Sequence, residues 1–224
     1  MRVCLASTSP ARLMLLRQAG IEPLTLSPDV DEDAVIAAVE AAEGRTLDPD
    51  EHVLLLARRK AADVAARLAD DDPDFDGIVI GGDSMFLFEG AVLGKPYTPE
   101  AARERWHAMR GRSGVLHSGH AVVRVRPGES PREAHGVAEA SVFFAGDLTD
   151  AEIDAYIASE EPLHVAGAFT IDSLGGPFID RVEGDPSTVV GMSLSRLRRL
   201  VRELGIEWTD LWLRSSPSGG SHEG

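Results

Sequence analysis

The two lysines of the chain are the first residues whose type and position suggest chemistry. Lys60 and Lys95 stand out because the other 20 of the 22 basic residues are arginines. Either residue can supply a surface charge. A chain that strongly favours arginine is therefore expected to keep lysine where a compact ammonium on a flexible stem is needed. The composition marks these two positions as candidate sites for an anionic partner.

A candidate anion-binding segment, STSPAR, lies near the amino terminus. It follows an apolar run that predicts a short strand, and its Ser-Pro pair is typical of a helix start. The hydroxyls of Ser7 and Ser9, the free N–H groups of the helix N-terminus and the guanidinium of Arg12 can all bind phosphate. Taken alone, however, the segment fits an ordinary capped helix with a surface arginine better than it fits a phosphate site.

A carboxylate follows two glycines in GIVIGGD, which ends at Asp83. The apolar run predicts a central strand with a tight exit at the glycines. This would put Asp83 at the carboxyl end of a strand, where ligands bind in α/β sheets. There it can hold a divalent cation or orient water, and a turn carboxylate that caps a local N–H is an equal alternative. The next segment, SMFLFEGAVLGKP, predicts a hairpin that returns Lys95 to the side of Asp83.

Three cations and two carboxylates are thereby expected to share one site. A triphosphate with a divalent cation suits such a mixed site, because Mg²⁺ is usually held by one or two carboxylates together with substrate phosphates. The chain has no GxxxxGK[ST] or GxGxxG segment and no Cys/His set with zinc spacing. The expected set consists of Arg12, Lys60, Lys95, Asp83 and Glu32, the last from the acidic turn SPDVDED.

Composition and charge exclude several classes of function. A net charge of −15 and a pI near 4.8 argue against a nucleic-acid partner or an anionic membrane surface, because the field of the chain repels polyanions. No apolar run reaches the length of a membrane span, and arginines interrupt the first segment before a signal peptide can form, so we expect a cytoplasmic protein. The single cysteine, Cys4, lies in an apolar run and is expected to be a buried strand thiol.

The order of predicted elements indicates an α/β fold with a mixed sheet. Strands are predicted at residues 2–6, 77–83, 115–125 and 136–144. Helices are predicted at 11–19, 33–43, 49–69, 99–110 and 149–159, with a further amphipathic helix in the second half of 185–205. Residues 1–213 are expected to form one folded domain, and 214–224 have the composition of a disordered tail.

Four segments are considered together: LASTSPARLMLLRQAGI, LLLARRKA, IGGDSMFLFEGAVLGKP and AGAFTIDSLGGPFIDRVEGDPSTVVGMSL. In order and spacing they resemble the Maf family of nucleoside triphosphate pyrophosphatases. The resemblance covers about residues 3–204. It implies an α/β fold with an elongated mixed sheet between two lobes and a nucleotide cleft, related to the inosine triphosphate pyrophosphatases.

The resemblance also implies roles for individual residues. Asp83 falls on the catalytic aspartate, a general base or metal holder, and Glu32 on an acidic residue linked to metal binding. The phosphate-binding residues fall on Ser7, Arg12, Lys60 and Lys95. The implied reaction is hydrolysis between the α- and β-phosphates of a nucleoside triphosphate with Mg²⁺ or Mn²⁺, releasing a nucleoside monophosphate and pyrophosphate. Members are often homodimers.

Three departures from the family pattern bear on substrate binding. Leu13 replaces a second basic residue, whose phosphate contact would be absent or supplied by Arg58 or Arg59. The usual GADT reads GGDS, a mild change. Asp172 replaces the glutamine of members that act on dTTP and UTP. A carboxylate only accepts hydrogen bonds, so Asp172 suits the adjacent N1–H and amine of guanine better than the carbonyls of thymine or uracil. A purine-type or modified nucleotide, such as 7-methyl-GTP, is therefore at least as good a candidate as dTTP.

Two other functions remain open from the sequence. One is a nucleotide-binding regulator of septation with little catalysis, since family members are associated with arrest of cell division. The other is a phosphatase that removes the terminal phosphate and releases orthophosphate. Retention of Asp83 together with both lysines favours the pyrophosphatase, because a binding protein does not need a carboxylate that activates water.

Overall fold

The computed structural model describes residues 1–213, which contain seven α-helices and seven strands. The helices are α1 (Pro10–Gln18), α2 (Glu32–Glu43), α3 (Pro49–Asp71), α4 (Pro99–Met109), α5 (Asp150–Ala158), α6 (Pro186–Val190) and α7 (Leu194–Glu203). The strands are β1 (Arg2–Ala6), β2 (Leu24–Leu26), β3 (Gly77–Phe88), β4 (Ala91–Val92), β5 (Ser113–Val125), β6 (Arg132–Phe144) and β7 (Ile179–Gly184).

The strands form one mixed sheet in the order β2-β1-β3-β5-β6-β7, with β4 paired to the end of β3. The pairs that β1 makes with β2 and β3 are parallel, and the remaining pairs are antiparallel. Helices pack on both faces of this sheet. The predicted α/β fold with a mixed sheet is therefore confirmed.

Strand β3 runs straight through the segment that the sequence predicted as its exit. Gly81 and Gly82 are extended rather than turned, because β5 pairs with β3 continuously from Gly77 to Leu87. Asp83 consequently lies in the middle of a strand, and its predicted place at a strand end was wrong. It is β1 that ends here, since its last pair with β3 is Ala6 with Gly81.

The short length of β1 leaves an open edge on β3. Beyond Gly81 this edge has no strand partner until Leu87 pairs with β4. Side chains alternate across a strand, so Asp83 points to the face covered by α3 and Ser84 points to the opposite face. Both faces of this stretch of β3 are thus accessible from the same edge.

Helix α3 lies close to the sheet because two strands carry glycines beneath it. A Cβ atom on Gly81 would lie 2.2 Å from the carbonyl oxygen of Ala57, and one on Gly119 would lie 2.2 Å from that of Val53. With Ala61 these positions let the helix backbone approach β3 and β5. The close packing decides where the middle of α3, including Lys60, meets the sheet.

Two apolar clusters occupy the face of the sheet opposite α3. The first contains Ile80 of β3 and packs beneath α1 and α7. The second contains Phe86 of β3 and packs beneath α4 and α5, with Trp106 at its centre. Along β3, Gly82 and Ser84 separate the two clusters. This arrangement creates a gap between two packed regions, as expected for lobes around a cleft.

Most predicted elements agree with the structure to within a few residues. The hairpin at Glu89-Gly90 is present, and both residues have positive φ. The capping box of Thr149 with Glu152 begins α5 as predicted. Three elements were not predicted: β2, β7 and α6, which are short and partly exposed. The predicted tail at 214–224 lies outside the described residues.

Two smaller predictions concern Cys4 and membrane insertion. Cys4 is fully buried in β1, and burial raises the pKa of its thiol to about 11, so the thiol stays protonated at neutral pH. Among the helices of residues 1–213, none has both the length and the apolar composition needed to cross a bilayer.

Candidate active site

A cleft of about 540 Å³ opens at the free edge of β3. It is bordered by the loop after β1, the middle of α3, the segment after β4 and the segment between α5 and β7. The structure brings every predicted site residue to this cleft: Ser7, Ser9, Arg12, Glu32, Lys60, Asp83, Lys95 and Asp172. Residues far apart in the chain therefore share one site, as the sequence analysis required.

Lys60 joins the two predicted acidic residues. Its ammonium lies 2.7 Å from Oδ1 of Asp83 and 2.8 Å from Oε1 of Glu32, and the lysine is only 7% exposed. The side chain of Asp83 is 15% exposed and that of Glu32 is 50% exposed. A buried ammonium needs an anionic partner, and two carboxylates supply one here. The three groups form a compact charged cluster at the cleft.

Arg12 lies on the opposite face of β3, and three groups accept hydrogen bonds from its guanidinium. Its Nε donates to the carbonyl oxygen of Gly191 at 2.8 Å, and its two terminal nitrogens donate to Ser84 Oγ at 3.0 Å and Ser7 Oγ at 3.3 Å. Gly82 leaves space for this side chain, since a Cβ atom there would lie 3.2 Å from Nε. A guanidinium has five N–H groups, so two remain to bind a ligand.

Burial and the neighbouring carboxylates shift the pKa of Arg12 in opposite directions. Burial lowers the pKa of its guanidinium, whereas the carboxylates of Asp83 and Glu32 raise it. Arginine remains protonated at neutral pH in such surroundings. The cleft therefore presents a fixed positive charge on each face of β3, one from Arg12 and one from Lys60.

The loop after β1 adds neutral hydrogen-bonding groups to this end of the cleft. Ser9 caps α1 by accepting a hydrogen bond from the backbone N–H of Arg12, and Ser7 Oγ accepts one from the N–H of Ser9. The helix begins at Pro10, as the Ser-Pro pair indicated. Its N-terminus faces the cleft through Thr8 to Ala11 and favours an anion there.

Lys95 and Asp172 line other parts of the cleft wall. Both are exposed. Lys95 was predicted to lie beside Asp83. Both residues line the cleft, but within residues 1–213 no salt bridge or hydrogen bond joins them. Lys95 follows β4 and is free to contact a ligand in the cleft. Asp172 lies in a largely apolar wall that includes Val165, Phe169 and Ile171.

Comparison with known proteins assigns the family. The model of a family described as "Maf-like protein" matches residues 2–204, which include every cleft residue named above. The chain belongs to this family. Curated relatives of this Maf-like protein cover almost its entire length.

Two of these relatives carry the same printed name, "Nucleoside triphosphate pyrophosphatase". One, from Leifsonia xyli subsp. xyli, is 63% identical over 97% of this chain and 100% of its own length. The other, from Rhodococcus jostii, is 50% identical over 94% of this chain and 96% of its own. A solved structure, of the Staphylococcus aureus Ham1 protein, aligns over 65% of this chain and 73% of its own with a TM-score of 0.30 and 10% identity.

The Maf-like cleft has a pair of carboxylates suited to a hard divalent cation. Glu32 and Asp83 both contact Lys60 Nζ, so the two carboxylates lie close together. Each carboxylate has a second oxygen beyond the one that contacts Lys60. Oxygen ligands of this kind suit Mg²⁺ or Mn²⁺. The residues present therefore fit the cation that the family resemblance implied.

A second group of potential metal ligands lies outside the cleft. Asp50, His117 and Glu139 place one ligand atom each within 4.8 Å of one another. The imidazole Nδ1 of His117 is already hydrogen-bonded to Asp50 at 2.7 Å, and Glu139 is 4.0 Å away. This hydrogen bond accounts for the contact between His117 and Asp50 without a cation.

Three residues of the hydrogen-bond network around Arg12 were not predicted: Ser84, Ser118 and Gly191. Ser84 and Ser118 both donate to the carbonyl oxygen of Gly191, at 3.1 and 3.3 Å. Gly191 itself has a φ of +117°, which favours glycine. Ser84 could have been noticed beside Asp83. Ser118 and Gly191 had no local signal, because their role depends on contacts between β3, β5 and the end of α6.

The departure at Leu13 is explained by packing. Leu13 packs against the apolar cluster beneath α1 rather than facing the cleft. The proposed substitutes do not replace a basic residue there: Arg58 pairs with Glu133 at 2.7 Å, and Arg59 lines a groove beside α2. Within residues 1–213, the basic residues that line the cleft are Arg12, Lys60, Lys95 and His164.

Proposed function

We propose that this Maf-like protein is a nucleoside triphosphate pyrophosphatase. It would hydrolyse the bond between the α- and β-phosphates, releasing a nucleoside monophosphate and pyrophosphate. The observation that carries the proposal is the cluster of Lys60 with Asp83 and Glu32, in a cleft that also holds Arg12 and Lys95. The printed names of the two relatives support the same activity.

The proposed mechanism assigns each side chain a role in one displacement. Asp83 orients a water and accepts its proton as the water oxygen attacks the α-phosphorus. The bond from the α-phosphorus to the bridging oxygen breaks, and pyrophosphate leaves with that oxygen. Arg12, Lys60 and Lys95 offset the negative charge on the phosphate oxygens. A divalent cation held by Glu32 and Asp83 would supply additional charge neutralisation.

The nucleobase is proposed to lie against the apolar wall that contains Asp172. A carboxylate accepts two hydrogen bonds from the adjacent N1–H and amine of guanine, but faces carbonyl oxygens in thymine and uracil. We therefore propose a purine-type or modified nucleotide as a substrate at least as good as dTTP. Such a preference fits removal of unwanted nucleotides from the cellular pool.

A product assay in ¹⁸O-labelled water tests the activity and the site of attack. Purified protein is incubated with a panel of dTTP, UTP, GTP and 7-methyl-GTP in the presence of Mn²⁺. We expect pyrophosphate as product and the label in the nucleoside monophosphate. Orthophosphate as product would indicate the phosphatase. Nucleotide binding without turnover would favour the septation regulator. Clear preference for dTTP and UTP over the guanine nucleotides would overturn the role of Asp172.

Location and assembly remain predictions of the sequence and of the family resemblance. A cytoplasmic protein without nucleic-acid or membrane partners is consistent with the net charge of −15. A homodimer is proposed by analogy with the family. Light scattering during size-exclusion chromatography measures it directly.

A further inference from the structure

The carboxylate of Glu161 is the centre of a dense hydrogen-bond network near the apolar wall. Glu161 opens a 3₁₀ turn after α5 and is half-buried. Its two oxygens accept five hydrogen bonds. The donors are Tyr156 OH (3.0 Å), Thr170 Oγ1 (2.5 Å), Ser173 Oγ (2.6 Å), the N–H of Leu174 (3.3 Å) and the N–H of Gly175 (3.2 Å).

This network keeps Glu161 ionised. Burial raises the pKa of the carboxyl group, but hydrogen bonds from Ser173, Thr170 and Tyr156 outweigh it and hold the pKa below its usual value. Hydrogen bonds to an ionised acceptor are stronger than those between neutral groups. The five donors are therefore held firmly around one charge.

Four of the donors belong to a single segment, Thr170–Gly175. The segment folds around the carboxylate tightly enough that a Cβ atom on Gly175 would lie 2.5 Å from the carbonyl oxygen of Thr170 and 2.6 Å from Tyr156 OH. Tyr156 OH in turn accepts a hydrogen bond from the N–H of Thr170 at 3.2 Å. Glu161 and Tyr156 thus fix both ends of the segment.

The first half of this segment forms part of the cleft wall, whereas Glu161 does not. Thr170, Ile171 and Asp172 line the cleft, and Glu161 lies behind them. The three cations proposed to bind phosphate, Arg12, Lys60 and Lys95, come from other elements: α1, α3 and the segment after β4. A change in the segment should therefore alter the wall proposed for the base while leaving the cationic part of the cleft intact.

We propose that Glu161 is a positioning residue that sets nucleobase selectivity by holding Thr170–Gly175 in the conformation that presents Ile171 and Asp172 to the base. The inference rests on the proposed function, because it assumes that a nucleoside triphosphate occupies the cleft. Glu161 does not contact the reacting atoms. Its effect passes through the loop that it organises.

Glu161→Gln is the informative substitution, because it keeps the size of the side chain and one acceptor oxygen. The new amide would face hydrogen-bond donors, which breaks at least one of the contacts. Ser173→Ala removes one donor outside the cleft and serves as a second, milder variant. Glu160→Gln is the matched control, since it makes the same change in charge at the adjacent, exposed residue.

The experiment measures kcat/KM for the four nucleotides of the panel in wild type and variants. Inhibition by inorganic tripolyphosphate reports separately on the cationic part of the cleft, because this inhibitor has phosphates but no base. We expect Glu161→Gln to lower the ratio of kcat/KM between the best and the poorest nucleotide by about tenfold. This is the scale of a lost hydrogen bond to a charged group. Ser173→Ala should shift the ratio in the same direction by less. Glu160→Gln should match wild type, and tripolyphosphate inhibition should stay within about threefold in every variant.

The other possible results overturn either the positioning role of Glu161 or the proposed function. Wild-type protein that releases pyrophosphate with a clear base preference, which Glu161→Gln retains, would overturn the positioning role alone. A Glu161→Gln variant that loses activity on all bases and tripolyphosphate inhibition in parallel would show general structural damage and overturn it too. Equal turnover of all four bases by wild type would leave no selectivity for Glu161 to set. No pyrophosphate from any nucleotide would overturn the proposed function itself.

Discussion

Lys60 Nζ contacts Asp83 Oδ1 at 2.7 Å across 23 positions of the chain. The contact exists because α3 packs directly on the glycines of β3 and β5, which brings the lysine stem down to the edge of the sheet. A bulkier sheet surface would lift the helix and separate the two groups. The pairing of the cleft's buried ammonium with its least exposed carboxylate thus depends on residues that have no side chains.

Replacing Asp83 tests the proposed general base. We expect Asp83→Asn to lower kcat by about 10²-fold or more, because the amide cannot accept the proton of the attacking water. Pyrophosphate release gives kcat, and urea denaturation checks that the variant folds. Asp180→Asn, an exposed position on β7, is the control. Turnover within about threefold of wild type would remove Asp83 from the mechanism.

Replacing Lys60 by arginine tests why lysine is kept at this position. The guanidinium retains the charge but is a wide planar fork, and the space between Asp83 and Glu32 is occupied by a single ammonium. We expect Lys60→Arg to lower kcat/KM by about tenfold or more, since the exchange is not conservative where geometry is tight. Arg59→Lys, outside the cleft on the same helix, should leave kcat/KM unchanged. Full activity of Lys60→Arg would refute the requirement for lysine.

The two glycines before Asp83 are expected to respond differently to alanine. A Cβ atom on Gly81 would lie 2.2 Å from backbone of α3, whereas one on Gly82 would lie 3.2 Å from the flexible side chain of Arg12. Gly81→Ala should therefore lower the free energy of unfolding by about 1–3 kcal/mol or more through overpacking. Gly82→Ala should lower it less and mainly raise KM. Urea denaturation and steady-state kinetics distinguish the two, and equal stability of both variants would contradict this packing.

His120 is expected to make stability depend on pH. Burial, helped by Arg12 and Arg196, lowers the pKa of this histidine to about 4, although the backbone of Gly136 and the carboxylate of Asp185 act in the opposite direction. Its Nε2 accepts a hydrogen bond from the N–H of Ser193 at 2.8 Å.

The direction of this pH dependence follows from the number of protons bound by the folded and unfolded states. Between the unfolded pKa of about 6.5 and the folded value, the unfolded chain binds a proton that the folded protein does not, so stability falls as pH is lowered through this range. We expect His120→Asn to reduce the slope of unfolding free energy against pH between pH 6.5 and 4.5. A slope equal to wild type in His120→Asn would show that His120 does not titrate in this way.

The sequence by itself indicated which residues are candidates for the site, because their chemistry is local. The rarity of lysine, the carboxylate after two glycines and the cap at Ser9 can each be recognised without knowing the fold. Most helices and strands were also predictable, since apolar periodicity and capping residues act over a few positions. These signals decided which residues could act, and the family resemblance joined them into one activity.

Only the tertiary structure decided how those residues meet. Nothing in GIVIGGD shows that the strand continues through its glycines, because that depends on pairing with β5 far along the chain. Likewise, Gly191 accepts hydrogen bonds from Arg12 and Ser118 only because β5 and the end of α6 approach β3. Glu161 organises its loop through five donors that no short pattern reveals. Such contacts join distant segments, and their geometry is set by packing rather than by local preference.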